Sequence, residues 1–237
     1  MLVAAAVCPC TPLLVPEVAA GAASELDALR AACLDAVAVL AAARPGRLVV
    51  VGAAEQPGRG PFPQGSTGSF RGFGVDRPVR LGTGDDTAGE RELPLSLAVA
   101  AWLLERTAWA TSPVEGLGVG EPLEPERCLT AGRELAERDE RVALLVMGDG
   151  SACRSLKAPG YLDERAEAFD AGTARALAAA DTGALAGIDA QLAHELKAAG
   201  RAPWQVLAGA GEGAGLRGAL LYDEAPYGVG YHVAAWS

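Results

Sequence analysis

The sequence of 237 residues has little histidine, few aromatic residues and a shortage of basic side chains. Its two histidines, His194 and His232, are too few for a histidine-rich metal site. With 20 basic against 30 acidic residues, the chain lacks the excess of lysine and arginine that neutralises nucleic-acid phosphates. No apolar run reaches the ~18 residues that span a bilayer. We therefore expect neither a nucleic-acid partner nor a membrane partner.

What the chain does have is apolar content suited to a packed core. Half of the residues are hydrophobic and only 21% are charged, which excludes disorder throughout. The apolar start, 1–7, has no basic residue before it and is followed by prolines, so it predicts a first strand rather than a secretory signal. The five cysteines have neither disulfide-framework nor zinc-knuckle spacing, which favours a cytoplasmic protein with reduced thiols.

Hydrophobic periodicity predicts alternating strands and helices. The predicted strands are 2–7, 48–51, 114–119, 141–147, 216–222 and 229–236, and the predicted helices are 16–43, 95–106, 124–137, 165–180, 182–199 and one from 203. Residues 55–90 are rich in glycine and proline and predict a long loop with a short strand at 79–81; whether this loop is a lid is left open. We expect one α/β domain, 1–237, with a mostly parallel sheet and helices on both faces.

Three predicted strand ends carry residues suited to chemistry, namely 8–10, 52–55 and 148–151. Ligands bind beyond the carboxyl ends of parallel strands, so these segments are expected to meet at one rim. Asp149 is a candidate base or metal ligand, Cys10 a candidate nucleophile or ligand, and Glu55 a candidate ligand or base. Ser151 is a further candidate. The structural alternative is that Asp149 and Ser151 only complete a turn.

Two arginines could recognise an anion. Arg71 lies in the glycine-rich loop and Arg154 follows Ser151, and a guanidinium can bind a carboxylate or phosphate with two hydrogen bonds. The alternative for both is a solvated surface. Nucleophilic catalysis has little support, because His194 is expected to be exposed on a helix, His232 is expected to pack within a strand, and no G-x-S-x-G motif is present. The glycines at 209–215 match no nucleotide-binding loop.

Taken together and in order, the segments 10–17, 148–161 and 225–231 resemble the class III extradiol dioxygenase-like proteins and their Memo-like relatives. The likeness extends over nearly the whole chain and is strongest to alanine-rich actinobacterial proteins. Members of this superfamily hold non-haem iron with two histidines and a carboxylate, and a further histidine acts as acid and base. The resemblance implies the same fold, a homodimer, and a ligand-binding role for Tyr227.

The chain departs from the family at each of these histidines. Cys10 stands where the family has the histidine of Pro-His-Pro-Pro, and 53–55 read Ala-Ala-Glu where the family has Pro-His-Gly. Asp149 and Ser151 of the Gly-Asp-x-Ser-His motif remain, but Ala152 takes the place of the histidine. The last family ligand falls near Ala214. The resemblance therefore implies a degenerate member without the iron site.

Three interpretations stay open from the sequence. The first is a degenerate superfamily member whose rim pocket binds a small molecule or a partner, with no cofactor expected. The second is an enzyme with a rebuilt site of Cys10, Glu55 and Asp149, which would need Fe(II) or another divalent metal only if those residues hold it. The third is an active iron-dependent ring-cleaving dioxygenase, which the missing histidines disfavour.

Overall fold

The computed structural model describes residues 1–84, 91–137 and 141–237. The strands, in chain order, are β1 Leu2–Cys8, β2 Arg47–Ala53, β3 Gly60–Phe62, β4 Thr67–Ser69, β5 Pro78–Arg80, β6 Val114–Val119, β7 Val142–Met147, β8 Gly218–Glu224 and β9 Tyr231–Trp236. The α-helices are α1 Pro16–Ala19, α2 Asp27–Ala42, α3 Leu95–Arg106, α4 Pro125–Ala136, α5 Ala166–Ala179, α6 Thr182–Ala186, α7 Ala190–Glu195 and α8 Arg201–Gly211. Within these parts of the chain, no helix combines the length and apolarity needed to cross a membrane.

A seven-stranded sheet in the order β3-β6-β2-β7-β1-β9-β8 forms the centre of the molecule. The four middle strands β6, β2, β7 and β1 are parallel, whereas β3 and β9 run antiparallel to their neighbours. β8 completes the sheet beyond β9, again antiparallel to its neighbour. This arrangement confirms the predicted single α/β fold with a mostly parallel sheet.

Both faces of the sheet are covered, because alternate residues of each central strand enter two different cores. In β1, Ala4, Ala6 and Cys8 enter the core that α2 and α3 complete, while Ala5 and Val7 enter the one that α4 and α8 complete. The strands are therefore continuous apolar runs, as buried parallel strands require. All five cysteines are free and buried.

Two of the predicted helices are divided in the structure. The predicted helix 16–43 begins as α1, continues as a 3₁₀ segment at Ala20–Leu26 and becomes regular only in α2. The predicted helix 182–199 is broken after α6, where the side chain of Asp189 accepts a hydrogen bond from Leu192 N and starts α7. Gly200 lies directly before the first residue of α8.

The predicted loop 55–90 contains more structure than its composition indicates. β3 adds an edge strand to the main sheet, and β4 pairs with β5 in a separate two-stranded sheet that confirms the strand predicted at 79–81. Residues 85–90 of the predicted loop lie outside the described residues. The segment before β3 packs closely on the end of β6, which places it beside the rim of the main sheet.

Candidate functional site

The carboxyl ends of β1, β2 and β7 lie side by side at one edge of the sheet, which we call the rim. Met147 is in register with Cys8 of β1 and with Gly52 of β2. Beyond the register, Gly148 N donates to Cys8 O at 3.0 Å. The three segments singled out from the sequence therefore meet, as the parallel arrangement predicts.

A cavity of about 880 Å³ opens at the rim. The floor includes Cys10, Ala53, Ala54 and Glu55 from the ends of β1 and β2. The walls come from four further segments, and their lining residues are Pro57, Gly58, Arg59, Arg91, Glu92, Pro94, Leu95, Ser96, Glu121, Pro122, His194, Lys197, Ala198 and Ala199. The mixture of small apolar residues with a few charged side chains, and the volume, are typical of small-molecule sites. We call this space the rim cavity.

Cys10, at the floor of the rim cavity, pairs with the half-buried Asp149, which does not itself line the cavity. Cys10 N donates to Asp149 Oδ1 at 2.8 Å. Burial raises the pKa of Asp149 from 3.8 to about 6, although its hydrogen bonds with Cys10 act in the opposite direction. Burial, and then the negative charge of Asp149, raise the pKa of the Cys10 thiol well above its ordinary value. The thiol is thus held protonated, which disfavours Cys10 as a nucleophile.

Ser151 and Arg154 are drawn into a different cluster, centred on Asp170 of α5. Both Ser151 N and Ser151 Oγ donate to the Asp170 carboxylate at 2.7 Å. Arg154 Nη1 donates to the same carboxylate at 3.2 Å. Neither Ser151 nor Arg154 lines the rim cavity. The two residues of the sequence motif therefore have different surroundings: Asp149 contacts a cavity-lining residue, Cys10, whereas Ser151 is hydrogen-bonded to Asp170.

His232, which the sequence assigned to packing, extends the Asp170 cluster. Its Nδ1 lies 3.0 Å from Asp223 Oδ1, and its Nε2 lies 4.0 Å from Asp170 Oδ1. The ring is fully buried with its centroid 6.1 Å from that of Trp204. Burial lowers the pKa of His232, while the negative charges of Asp170 and Asp223 act to raise it and only partly offset the effect of burial. Its position in a predicted strand indicated packing, but nothing in the sequence indicated Asp170 as its neighbour.

Arg71 and Tyr227 do not line the rim cavity. Arg71 is exposed and pairs with Asp76 at 2.8 Å, consistent with the solvated-surface alternative. The hydroxyl of Tyr227 donates to Glu25 at 2.9 Å. A tyrosine that the sequence did not single out, Tyr231, is buried near Cys10, and its pKa is raised by burial first and by the nearby charge of Asp149.

The rim cavity gathers polar and ionisable side chains that are far apart in the sequence. Arg59 precedes β3, Glu121 follows β6, and His194 and Lys197 lie at the end of α7. His194 Nδ1 is 2.7 Å from Glu121 Oε1. Sequence reasoning missed these residues because no local pattern connects them. The exposure predicted for His194 is confirmed, since 68% of its side chain is accessible.

The residues at the rim do not fit the iron site of the superfamily. Among the side chains of the described ranges, no three His, Cys, Asp or Glu residues lie together as a metal-binding group. Cys10 and Asp149 contact each other, but Glu55 does not complete a three-ligand group with them. A facial triad needs two imidazoles and a carboxylate at one point.

Neither a protein-family model nor a curated protein matches this sequence. Among solved structures, the chain is similar to that of the uncharacterized protein JW3007 from Escherichia coli K12, with a TM-score of 0.54 and 14% sequence identity. The superposition covers 99% of each chain. At this identity the similarity shows the fold, which extends over the entire domain.

Proposed function

We propose that this chain is a degenerate member of the class III extradiol dioxygenase-like superfamily that binds a small molecule in its rim cavity without an iron centre. The observation that carries the proposal is the cavity itself, which opens where ligands bind in parallel α/β sheets. The replacement of the family histidines by Cys10 and Ala152 supports the loss of iron. A cytoplasmic location and a homodimer belong to the same proposal.

Binding of a small molecule in the rim cavity can be tested with an apolar fluorescent probe. Phenylnaphthylamine is a neutral probe whose fluorescence rises in apolar surroundings. Leu95 lines the cavity and is 37% exposed, whereas Leu221 is 40% exposed on β8 at the far edge of the sheet. Leu95→Ser removes apolar contact area from the cavity and should weaken probe binding about threefold to tenfold. Leu221→Ser is the matched control and should leave probe binding unchanged.

The cavity is supported as the binding site if the parent protein binds the neutral probe saturably, Leu95→Ser weakens this binding and Leu221→Ser leaves it unchanged. Absence of saturable binding by the parent protein, or equal weakening by both variants, would refute it. Because both leucines are partly exposed, neither substitution should unfold the protein, and a thermal melt of each variant checks this.

The second candidate function is acid–base catalysis by Asp149, which contacts Cys10 at the floor of the rim cavity. A pKa of about 6 allows one carboxyl group both to release and to accept a proton near neutral pH. Glu55, on the same floor, could then orient or deprotonate a ligand. A reaction whose rate follows the titration of Asp149, and which Asp149→Asn abolishes without loss of probe binding, would favour this function over binding alone.

A further inference from the structure

Two cations at the rim cavity, Arg59 and Lys197, have no counter-ion among the residues that the structure describes. Across the described ranges, neither Arg59 nor Lys197 makes an ion pair or a side-chain hydrogen bond, although both line the cavity. The third cation, Arg91, differs because its guanidinium donates to the carbonyl groups of Arg59 and Pro61 at 2.8 and 2.9 Å. Arg59 and Lys197 are thus the cations whose donors remain for a ligand.

Lys197 has a backbone conformation that is unfavourable for any residue with a side chain. Lys197 N donates to His194 O, and Ala198 N donates to Ala193 O at 2.9 Å, which is the pair of hydrogen bonds of a Schellman motif. Lys197 occupies the left-handed position of this motif with φ of 56°. Glycine is the usual residue there, because a Cβ in this conformation lies too close to the backbone. The strained position lies on the cavity wall.

The side chain of Arg59 occupies space that is open because Gly120 has no side chain. A Cβ at Gly120, directly after β6, would overlap Arg59 Nε and Cζ. The guanidinium therefore packs over the backbone at the end of β6, and its donors are available at the cavity. The start of α3 adds a weaker positive potential, because Pro94 cannot cap the helix with its side chain and Leu95 and Ser96 line the cavity.

The acidic residues of the cavity oppose an anion less than their number indicates. Glu121 contacts His194, and Glu92 accepts a hydrogen bond from Ser69 Oγ at 2.6 Å. Within the described residues, only Glu55 of the three lining carboxylates has no such partner. The remaining wall is largely small and apolar.

We infer that the ligand of the rim cavity is an apolar molecule with an acidic group, and that Arg59 and Lys197 bind this group. The inference rests on the proposed function and specifies its ligand class. A carboxylate, sulfonate or phosphate would gain charge-assisted hydrogen bonds from both side chains. The apolar body would lie against the alanine, proline and leucine side chains of the wall.

A pair of probes separates charge recognition from apolar binding. Anilinonaphthalene sulfonate has the ring system of phenylnaphthylamine and adds one sulfonate group. Lys197→Met should weaken binding of the sulfonate probe about tenfold and leave the neutral probe unchanged. Arg59→Met should do the same. The sequence contains one other lysine, Lys157, which is exposed and does not line the cavity, so Lys157→Met is the matched control.

Glu55→Gln should change the affinity for the sulfonate probe in the opposite direction. Removing the unpaired carboxylate should tighten sulfonate binding about threefold without affecting the neutral probe. Unchanged sulfonate binding in both Lys197→Met and Arg59→Met would overturn the inference, and so would equal weakening of the two probes. In either case the proposed function stands if the neutral probe still binds at the cavity. Failure of the neutral probe refutes the proposed function instead.

Discussion

Replacing Asp149 by asparagine should stabilise the protein at neutral pH. The pKa of Asp149 rises from 3.8 to about 6 on folding, chiefly because burial disfavours the charged carboxylate. Two pKa units correspond to about 3 kcal/mol of unfolding free energy. Asp149 keeps some contact with solvent, so this figure is an upper limit. Asparagine preserves an acceptor for Cys10 N and removes the buried charge.

The pH dependence fixes the sign of the effect. Below about pH 3.8 the carboxyl group is protonated in both the native and the unfolded chain, and Asp149→Asn gains nothing from removing the charge. Between about pH 3.8 and pH 6 the unfolded chain releases this proton first, so ionisation progressively favours unfolding. The advantage of Asp149→Asn should grow through this window and stay constant above it, at ~1 to ~3 kcal/mol.

Urea unfolding of both proteins, followed by circular dichroism at about pH 4, 6 and 7.5, measures the difference directly. Asp163→Asn is a control of opposite sign, because Arg165 lowers the pKa of that partly exposed carboxyl to about 2 and its removal should not stabilise the fold. A less stable Asp149→Asn at about pH 7.5, or a difference that does not vary with pH, would refute the assignment of a buried charge penalty.

Three further outcomes are expected. Gly209→Ala should destabilise the fold by about 1–3 kcal/mol in chemical unfolding, because its Cβ would overlap the backbone of Leu129 where α8 crosses α4. Gly172→Ala is the control, and it should be neutral or stabilising because Gly172 faces open space on α5. The same change in stability for both variants would contradict the close packing of α8 on α4. Iodoacetamide labelling of Cys10, mapped by mass spectrometry, should be slow near neutral pH because its thiol pKa is raised; rapid labelling would favour a rebuilt catalytic site. Protein purified without chelator should hold no stoichiometric metal, and a bound metal that Cys10→Ala abolishes would contradict the proposal.

The fold could be predicted largely because its strands are strong local signals. The apolar run of β7 and the strand–helix–strand order of the first residues leave few alternatives to a parallel sheet. The break between α6 and α7 was missed because hydrophobic spacing continues across it. There the side chain of Asp189 satisfies the start of a new helix, and this local hydrogen bond outweighs the periodicity.

The site was predicted only where it coincides with strand ends. Cys10, Glu55 and Asp149 follow buried strands, so topology alone brings them to the rim. Arg59 and Lys197 belong to a loop and a helix end whose positions depend on tertiary packing, and their pattern in sequence is that of ordinary surface charge. Ser151 lies in a different cluster from Asp149 because both its backbone N and its Oγ donate to Asp170, a residue that no sequence motif indicated.

The position of β1 has a consequence for how the chain acquires its structure during synthesis. β1 lies between β7 and β9, and Ala5 pairs with Trp236. Because β1 is made before β9, it waits for β9 before both of its edges are bonded. Until then a nascent chain exposes an apolar strand edge, the kind of surface that aggregates or recruits chaperones. Such distant pairing also predicts slow refolding, since long segments must close before these contacts form.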